Sequence, residues 1–324
     1  MLDIKKRFGF ITSTMAILAA FALPQAAQAE PPISIIVPYS AGGINDNFAR
    51  MLAKGMGEEL KRTIIVENKP GANGVIGANY VARAEPDGTT LLIGGTGPIS
   101  LNVLLRPNLP FGFDSFESVA LLFEGPLTLT VPTKLGVNSI PELVDYSKKN
   151  DQPLRYGTLG PGSVGDLYGL LVAKALDVNV LSVPYKNIPS SLIDLMGGLG
   201  DLSSATPIAL VEHQKSGQVK MLAMSTKERD PSFPDVPSVT ELGYPQLEST
   251  YWTSLHAPKG TPKELVEAYS AAAIKVVQSD DFRELLRRNG QMVKTGGPAA
   301  LDAQIQADVD HWGAIIKENN IVLD

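Results

Sequence analysis

Three glycine-rich stretches hold the residues of this chain that chemistry would call on. They are Pro38-Tyr39-Ser40-Ala41-Gly42-Gly43-Ile44-Asn45-Asp46, Gly94-Gly95-Thr96-Gly97-Pro98-Ile99-Ser100 and Tyr156-Gly157-Thr158-Leu159-Gly160-Pro161-Gly162-Ser163-Val164-Gly165-Asp166. Familiar catalytic patterns start in them and do not complete. A nucleophile elbow, Gly-x-Ser-x-Gly, fails around Ser163 because Pro161 stands where the first glycine belongs, and no histidine is near in sequence. Gly160 to Gly165 has the glycine spacing of a phosphate loop, but Asp166 replaces the lysine and would repel phosphate. Neither Gly42-Gly43 nor Gly94-Gly95-Thr96-Gly97 completes Gly-x-Gly-x-x-Gly. No pair of carboxylates has a partner that would split their pKa values. With no cysteine, and with His213, His256 and His311 far apart, a metal or redox site has no support and no cofactor is expected. The chemistry left is reversible binding of an anion by backbone N–H groups and hydroxyls, so an enzyme is not expected.

The elements around these stretches suit that task. Ser34 to Val37 reads as a β-branched strand and Asn45 to Leu60 as an amphipathic helix, so the first stretch joins a strand end to a helix start. The first N–H groups of a helix have no intrahelical acceptor and carry the positive end of its dipole, which makes such a loop an anion site. Tyr39 and Ser40 add hydroxyls, and Gly42 and Gly43 let a ligand approach the backbone. Asp46 serves equally as a helix cap, because a carboxylate there complements the dipole with or without a ligand. The same device returns at Leu154 to Gly157, followed by a helix over Val164 to Ala175. There Thr158 and Ser163 supply the hydroxyls, with helix capping as their other use.

Between these loops, strands over Thr63–Glu67 and Thr89–Ile93 alternate with a small-residue helix over Val75–Ala84, where Gly77 and Ala78 allow close packing. The alternation predicts a parallel, helix-covered sheet with ligands beyond the C-terminal strand ends. Leu101 to Phe116 reads as a proline-rich surface excursion. Ser139 is a helix N-cap, with Pro141 and Glu142 in the first turn. Strands near Leu127–Val131 and Tyr251–Ala257 are expected to cross between two αβ domains, 30–127 with 255–324 and 128–254, with a cleft between. Three closing helices, over Pro262–Gln278, Asp280–Asn289 and Ala299–Glu318, end the chain. The last has apolar Leu301, Ile305, Val309, Trp312 and Ile316 on one stripe, which is core packing.

Lys5, Lys6 and Arg7 precede an apolar run from Phe8 to Leu23 and then Ala27-Gln28-Ala29, the pattern of a cleavable secretory leader over 1–29. Export to a periplasm is the expected localisation. The formal net charge is −6, and the leader carries +2 of it, so the remainder is near −8. An acidic chain argues against nucleic acid as a partner, while a local nest of N–H groups can still hold a small anion. A monomer is expected.

The motifs in order resemble the solute receptors of tripartite tricarboxylate transporters, also called Bug receptors. The family's opening, Pro-aromatic-x-x-Gly-Gly-x-x-Asp with Ala-Arg, stands here as Pro38-Tyr39-Ser40-Ala41-Gly42-Gly43-Ile44-Asn45-Asp46 with Ala49-Arg50. Val66-Glu67-Asn68-Lys69-Pro70-Gly71-Ala72-Asn73-Gly74 and Pro86-Asp87-Gly88-Thr89-Thr90-Leu91 match two further signatures. Val183-Pro184-Tyr185-Lys186, Pro234-Asp235-Val236-Pro237-Ser238 and Ala257-Pro258-Lys259-Gly260-Thr261-Pro262 match three more. The resemblance implies an α/β periplasmic binding protein, type II-like, of two αβ domains joined by two crossing strands. It would close on a small carboxylate and hand it to membrane permease subunits. A sensor subunit using the same cleft to signal to a membrane kinase is the alternative.

Carried over by position, the resemblance implies ligand contacts from Tyr39, Ser40, Gly42, Gly43, Asp46, Thr96, Ser100, Thr158 and Ser163, then Tyr185 and Thr206. Two departures bear on specificity: Asp166 where histidine is frequent, and Asn187 where glycine is usual. Asp166 is expected to disfavour a strongly charged distal carboxylate, and Ile44 and Tyr39 to offer an apolar wall. The ligand expected is a mono- or dicarboxylate, aromatic ones such as terephthalate included, in preference to citrate.

Overall fold

The computed structural model describes residues 30–150 and 152–323; the leader expected over 1–29 lies outside them. From Pro32 onward the chain builds two sheets. The first opens with β1 (Ile33–Val37), α1 (Ile44–Leu60), β2 (Ile64–Asn68), α2 (Val75–Ala82) and β3 (Thr90–Gly95), followed by a short α3 (Asn102–Leu105). β1 pairs in parallel with β2 on one side and β3 on the other, and Ile33, Ile35, Ile36 and Val37 are all buried. A strand covered on both faces reads as a continuous apolar run, which this one does. α1 lays Phe48, Leu52 and Met56 on the sheet, and Phe48 packs on Phe123 with ring centroids 4.6 Å apart. In α2 a Cβ at Gly77 would meet the Pro38 Cβ at 2.9 Å and the Lys69 carbonyl at 3.0 Å, so the expected close approach is real.

β4 (Phe116–Pro126) runs on into β5 (Thr128–Pro132) of the second sheet, a crossing at Leu127. The second sheet then takes α4 (Ile140–Lys149), β6 (Leu154–Thr158), α5 (Val164–Leu176), β7 (Val180–Pro184), α6 (Ile188–Gly197), β8 (Leu202–Ser203), α7 (Pro207–Lys215) and β9 (Val219–Met224). Ser139 caps α4 as expected: the Glu142 N–H donates to its hydroxyl at 3.3 Å, and the Asn138 N–H donates to the Glu142 carboxylate at 2.8 Å. Asn187 caps α6 by accepting the Ser190 N–H at 2.9 Å, a role glycine could not fill. The chain returns through β10 (Thr250–Pro258) and closes with α8 (Lys263–Val277), α9 (Asp280–Arg288), β11 (Met292–Gly296) and α10 (Pro298–Glu318).

The strand orders are β11-β4-β10-β3-β1-β2 and β7-β6-β8-β5-β9. Each sheet is parallel only over its three αβ strands. β10 and β11 pair antiparallel with β4, and β5 pairs antiparallel with β8 and β9, because the strands around the crossings run back against their neighbours. The expected all-parallel sheet is therefore a mixed one. Leu101–Phe116 also departs from expectation at its start. Thr96–Leu101 forms a buried π-helical turn, and Leu101 and Leu105 enter the core of the second sheet while Ile99 joins a core of the first. α10 likewise serves both: Leu301 packs with the first sheet, and Trp312, Ile315 and Ile316 with the second. Among the described residues no helix is long and apolar enough to cross a membrane.

Candidate functional site

The first loop is held by its own helix. Gly42 takes φ +79°, a conformation open to glycine, and donates its N–H to Asp46 Oδ2 at 2.9 Å. Arg50 Nε donates to the same oxygen at 3.0 Å, and Asn68 Nδ2, at the end of β2, donates to Oδ1 at 3.0 Å and to the Tyr39 carbonyl at 3.1 Å. The Gly42 N–H, helped by the Arg50 guanidinium, holds the Asp46 carboxyl below the usual carboxylate range. Both carboxylate oxygens are used inside the loop.

The second loop repeats the arrangement. Gly160 and Gly162 have φ +98° and +76°, and the Gly162 N–H donates to Asp166 Oδ2 at 3.0 Å. Ser182 Oγ, on the strand beside β6, donates to Asp166 Oδ1 at 2.6 Å. Thr158 Oγ1 accepts the Gly160 N–H at 3.1 Å, and Ser163 Oγ accepts the Asp166 N–H at 3.3 Å as the N-cap of α5. Asp166 thus braces its loop and does not line the cleft. Any effect of Asp166 on a distal carboxylate would therefore be exerted through its charge and not by direct contact.

The two loops open on one cleft of about 610 Å³ bounded by both sheets. Tyr39, Thr96, Thr158, Ser163 and Thr206 line it. So do Ile44 and Asn45 at the start of α1 and Val164 and Gly165 at the start of α5, whose N–H groups fall in first turns that lack intrahelical acceptors. The other expected residues do not line it. Ser40, Gly42 and Gly43 are exposed on the loop, and Asp46 is buried behind it. Ser100 is fully buried next to the Asp308 carboxyl. Tyr185 turns toward α6 and donates its hydroxyl to Asp194 at 2.8 Å; burial, then that bond, raises its pKa.

Several lining residues were not anticipated. Asn73, at φ +52°, donates its side-chain amide to the Gly162 carbonyl at 3.2 Å, while Asn102 donates to the Asn73 carbonyl at 3.0 Å. The run Asn68 to Gly74 is dense in turn residues, and an asparagine tolerates the left-handed conformation, which was the available signal. Ser204 just past β8, Trp252 and Thr253 of β10 and Gln291 on the approach to β11 also line it, from strand ends that carry no motif. Along α6, Ile188, Leu192, Ile193 and Met196 supply an apolar wall.

The polar chemistry is neutral. No lysine or arginine is among the described residues that line the cleft. Burial raises the Tyr39 phenol well above its ordinary value and pushes Tyr251 up to about 12, so both keep their hydrogens. Thr96 Oγ1 accepts the Trp252 N–H at 3.0 Å and Ser163 Oγ accepts from α5, which leaves each hydroxyl hydrogen to donate. Neutral donors and two helix starts around a partly apolar cavity can hold a carboxylate. Among the described residues no group of His, Cys, Asp or Glu is placed to hold a metal ion.

Comparison with known proteins bears on the family and the fold. The family model described as tripartite tricarboxylate transporter family receptor matches residues 48–321. A protein of Agrobacterium vitis from the TAR-I ttuE-ttuC' intergenic region is 34% identical over 320 residues, 98% of this chain and 92% of the relative. The periplasmic binding protein BugD superposes with a TM-score of 0.79 at 34% identity, covering 90% of this chain and 99% of that one. MatC of Rhodopseudomonas palustris, solved with bound malate, gives 0.77 at 31% identity over 88% of this chain and 99% of MatC.

Proposed function

This chain belongs to the tripartite tricarboxylate transporter receptor family, a family of periplasmic solute-binding proteins, and we propose that it captures a small carboxylate in the cleft between its sheets for uptake by a transporter of that type. The ligand class proposed is a dicarboxylate or an aromatic carboxylate such as terephthalate. The observation that carries the reading is the convergence of two matching helix starts, Ile44–Asn45 of α1 and Val164–Gly165 of α5, on a single cavity. Tyr39, Thr96, Thr158, Ser163 and Thr206 would supply the hydroxyls, and Asp46, Asp166 and Tyr185 act at one remove by fixing the loops. Residues 30–127 with 255–324 form one domain of the proposal and 128–254 the other; they close about Leu127 and the β9–β10 connection. The leader over 1–29 is removed on export, the mature receptor works as a monomer, and its closed form is what the permease subunits receive.

The test is a calorimetric titration and thermal shift with terephthalate, succinate and citrate. At a ligand concentration of 100 times Kd, saturation adds about 2.7 kcal/mol to stability. Binding of terephthalate or succinate without turnover is the expected result; a tight citrate complex with no binding of the others would sink the ligand class.

A further inference from the structure

The lining of the cleft is of two kinds. The first turns of α1 and α5 bring N–H groups and hydroxyls. Ile188, Leu192, Ile193 and Met196 of α6, with Leu159 of the second glycine loop, bring apolar surface. Ile193 and Leu159 are 65% and 53% exposed, large apolar side chains that neither core uses. Contiguous exposed apolar surface inside a cavity marks a place where something apolar binds. His213 also lines the cleft, and its Nδ1 is engaged with Gln218 at 3.0 Å.

Resting on the carboxylate-receptor reading above but setting aside its dicarboxylate part, we infer that the ligand has one carboxylate, held at the helix starts of α1 and α5, and an uncharged apolar body laid on the α6 wall. A carboxylate at the helix starts exchanges water for N–H and O–H donors. A second carboxylate laid on the side chains of the α6 wall would lose its water and gain no lysine or arginine in return, a cost that an apolar group does not carry. The apolar body instead gains by covering Ile193 and Leu159, whose burial on their own the fold does not achieve. Specificity in this receptor is therefore set by α6 at least as much as by the glycine loops.

Matched pairs test this directly by calorimetry. Hexanoate against adipate, and para-toluate against terephthalate, differ in the distal carboxylate alone. Each monoacid is expected to bind about tenfold or more tightly than its diacid. Along butanoate, hexanoate and octanoate the affinity should rise about fourfold per added methylene until the wall is covered. Ile193→Lys places a cation on the wall at an exposed position and is expected to invert the hexanoate–adipate preference. Diacid binding as tight as or tighter than the monoacid in either pair overturns the proposal and leaves the carboxylate reading standing. An Ile193→Lys variant with unchanged preference overturns the assignment to α6. Absence of binding by all these acids overturns the proposal and the carboxylate reading together.

Discussion

Asp46 and Asp166 occupy the same post in the two halves of the cleft. Each lies four residues after a glycine whose N–H its Oδ2 accepts, at 2.9 Å from Gly42 and 3.0 Å from Gly162. The second oxygen of each accepts from the strand next to its own, Asn68 of β2 for Asp46 and Ser182 of β7 for Asp166. The carboxylate complements its helix start and fixes the loop beside the cleft. The halves differ in their support: Arg50, four residues on, pairs with Asp46 at 3.0 Å, whereas the residue four after Asp166 is Leu170.

That difference predicts unequal costs. Asp46→Asn loses charge-assisted bonds from Gly42 and Arg50, each worth roughly 1.5–3 kcal/mol where buried, so the variant should lose on the order of 2 kcal/mol in urea unfolding at pH 7. Because the folded pKa of Asp46 is depressed, its contribution is present above the unfolded carboxylate value and is lost as pH falls through the folded one. The stability difference between wild type and variant should therefore shrink as pH falls from the ordinary aspartate range through the depressed folded value. Asp166→Asn, in a half-exposed site, should cost less. Equal losses for the two variants would refute the asymmetry.

Asn73 and Gly162 make a second testable contact, since the 3.2 Å bond joins loops that belong to different sheets. Asn73→Gly keeps the left-handed backbone at φ +52° and removes the bond, whereas Asn73→Ala also strains the loop. For the glycine variant a faster ligand off-rate and a Kd weaker by about 2- to 10-fold, the worth of one hydrogen bond, are expected by stopped-flow and calorimetry. Little change in the melting temperature without ligand should accompany it. An unchanged off-rate would show that the bond does not hold the closed cleft.

The sequence made the strand-loop-helix repeat legible because periodicity, glycines and hydroxyls all point the same way at Tyr39 to Asp46 and at Thr158 to Asp166. Side-chain direction was not legible. Tyr185 follows a strand just as Tyr39 does, yet it turns to Asp194, and Asp166 follows a glycine loop yet spends its oxygens on Gly162 and Ser182. Such choices depend on which neighbour completes a hydrogen bond after the chain has folded. The α6 wall was hidden for a related reason: Ile193 and Met196 have core-like spacing in sequence, and only the position of the helix beside the cleft leaves them facing it. The strand β11 was missed because five residues between two helices carry too short a pattern.

His256 sets one limb of the pH profile. It is buried on β10, within 2.8 Å of Ser254 Oγ, and burial lowers its pKa to about 3. The unfolded chain binds this proton below about pH 6.5 and the folded chain does not, so stability is full above that value and falls as pH drops toward 3. His311, also lowered by burial, acts in the same direction. His256→Gln should flatten the fall in melting temperature between pH 6.5 and 4.5 by up to one proton's slope, about 1.4 kcal/mol per pH unit. A profile parallel to wild type over that interval would exclude His256 as a source.

Asp308 acts with the opposite sign. Trp252 Nε1 donates to its Oδ2 at 2.9 Å, but burial outweighs this and the Ser100 contact and raises its pKa to about 6. A raised folded pKa means that the stabilising contribution is fully present below the unfolded value near 3.8 and is lost as pH rises through 6. At neutral pH the charged carboxylate is thus a burden of roughly 3 kcal/mol on the folded state relative to the acid form. Asp308→Asn is neutral at every pH, and its amide oxygen can still accept from Trp252. It should therefore melt higher than wild type at pH 7.5 and no higher at pH 4. The same indole residue lines the cleft and gives its backbone N–H to Thr96, so the variant should leave terephthalate or hexanoate affinity intact if Trp252 has kept its place. A variant less stable than wild type at both pH values would show that the carboxylate is needed for its bonds and not tolerated at the expense of its charge.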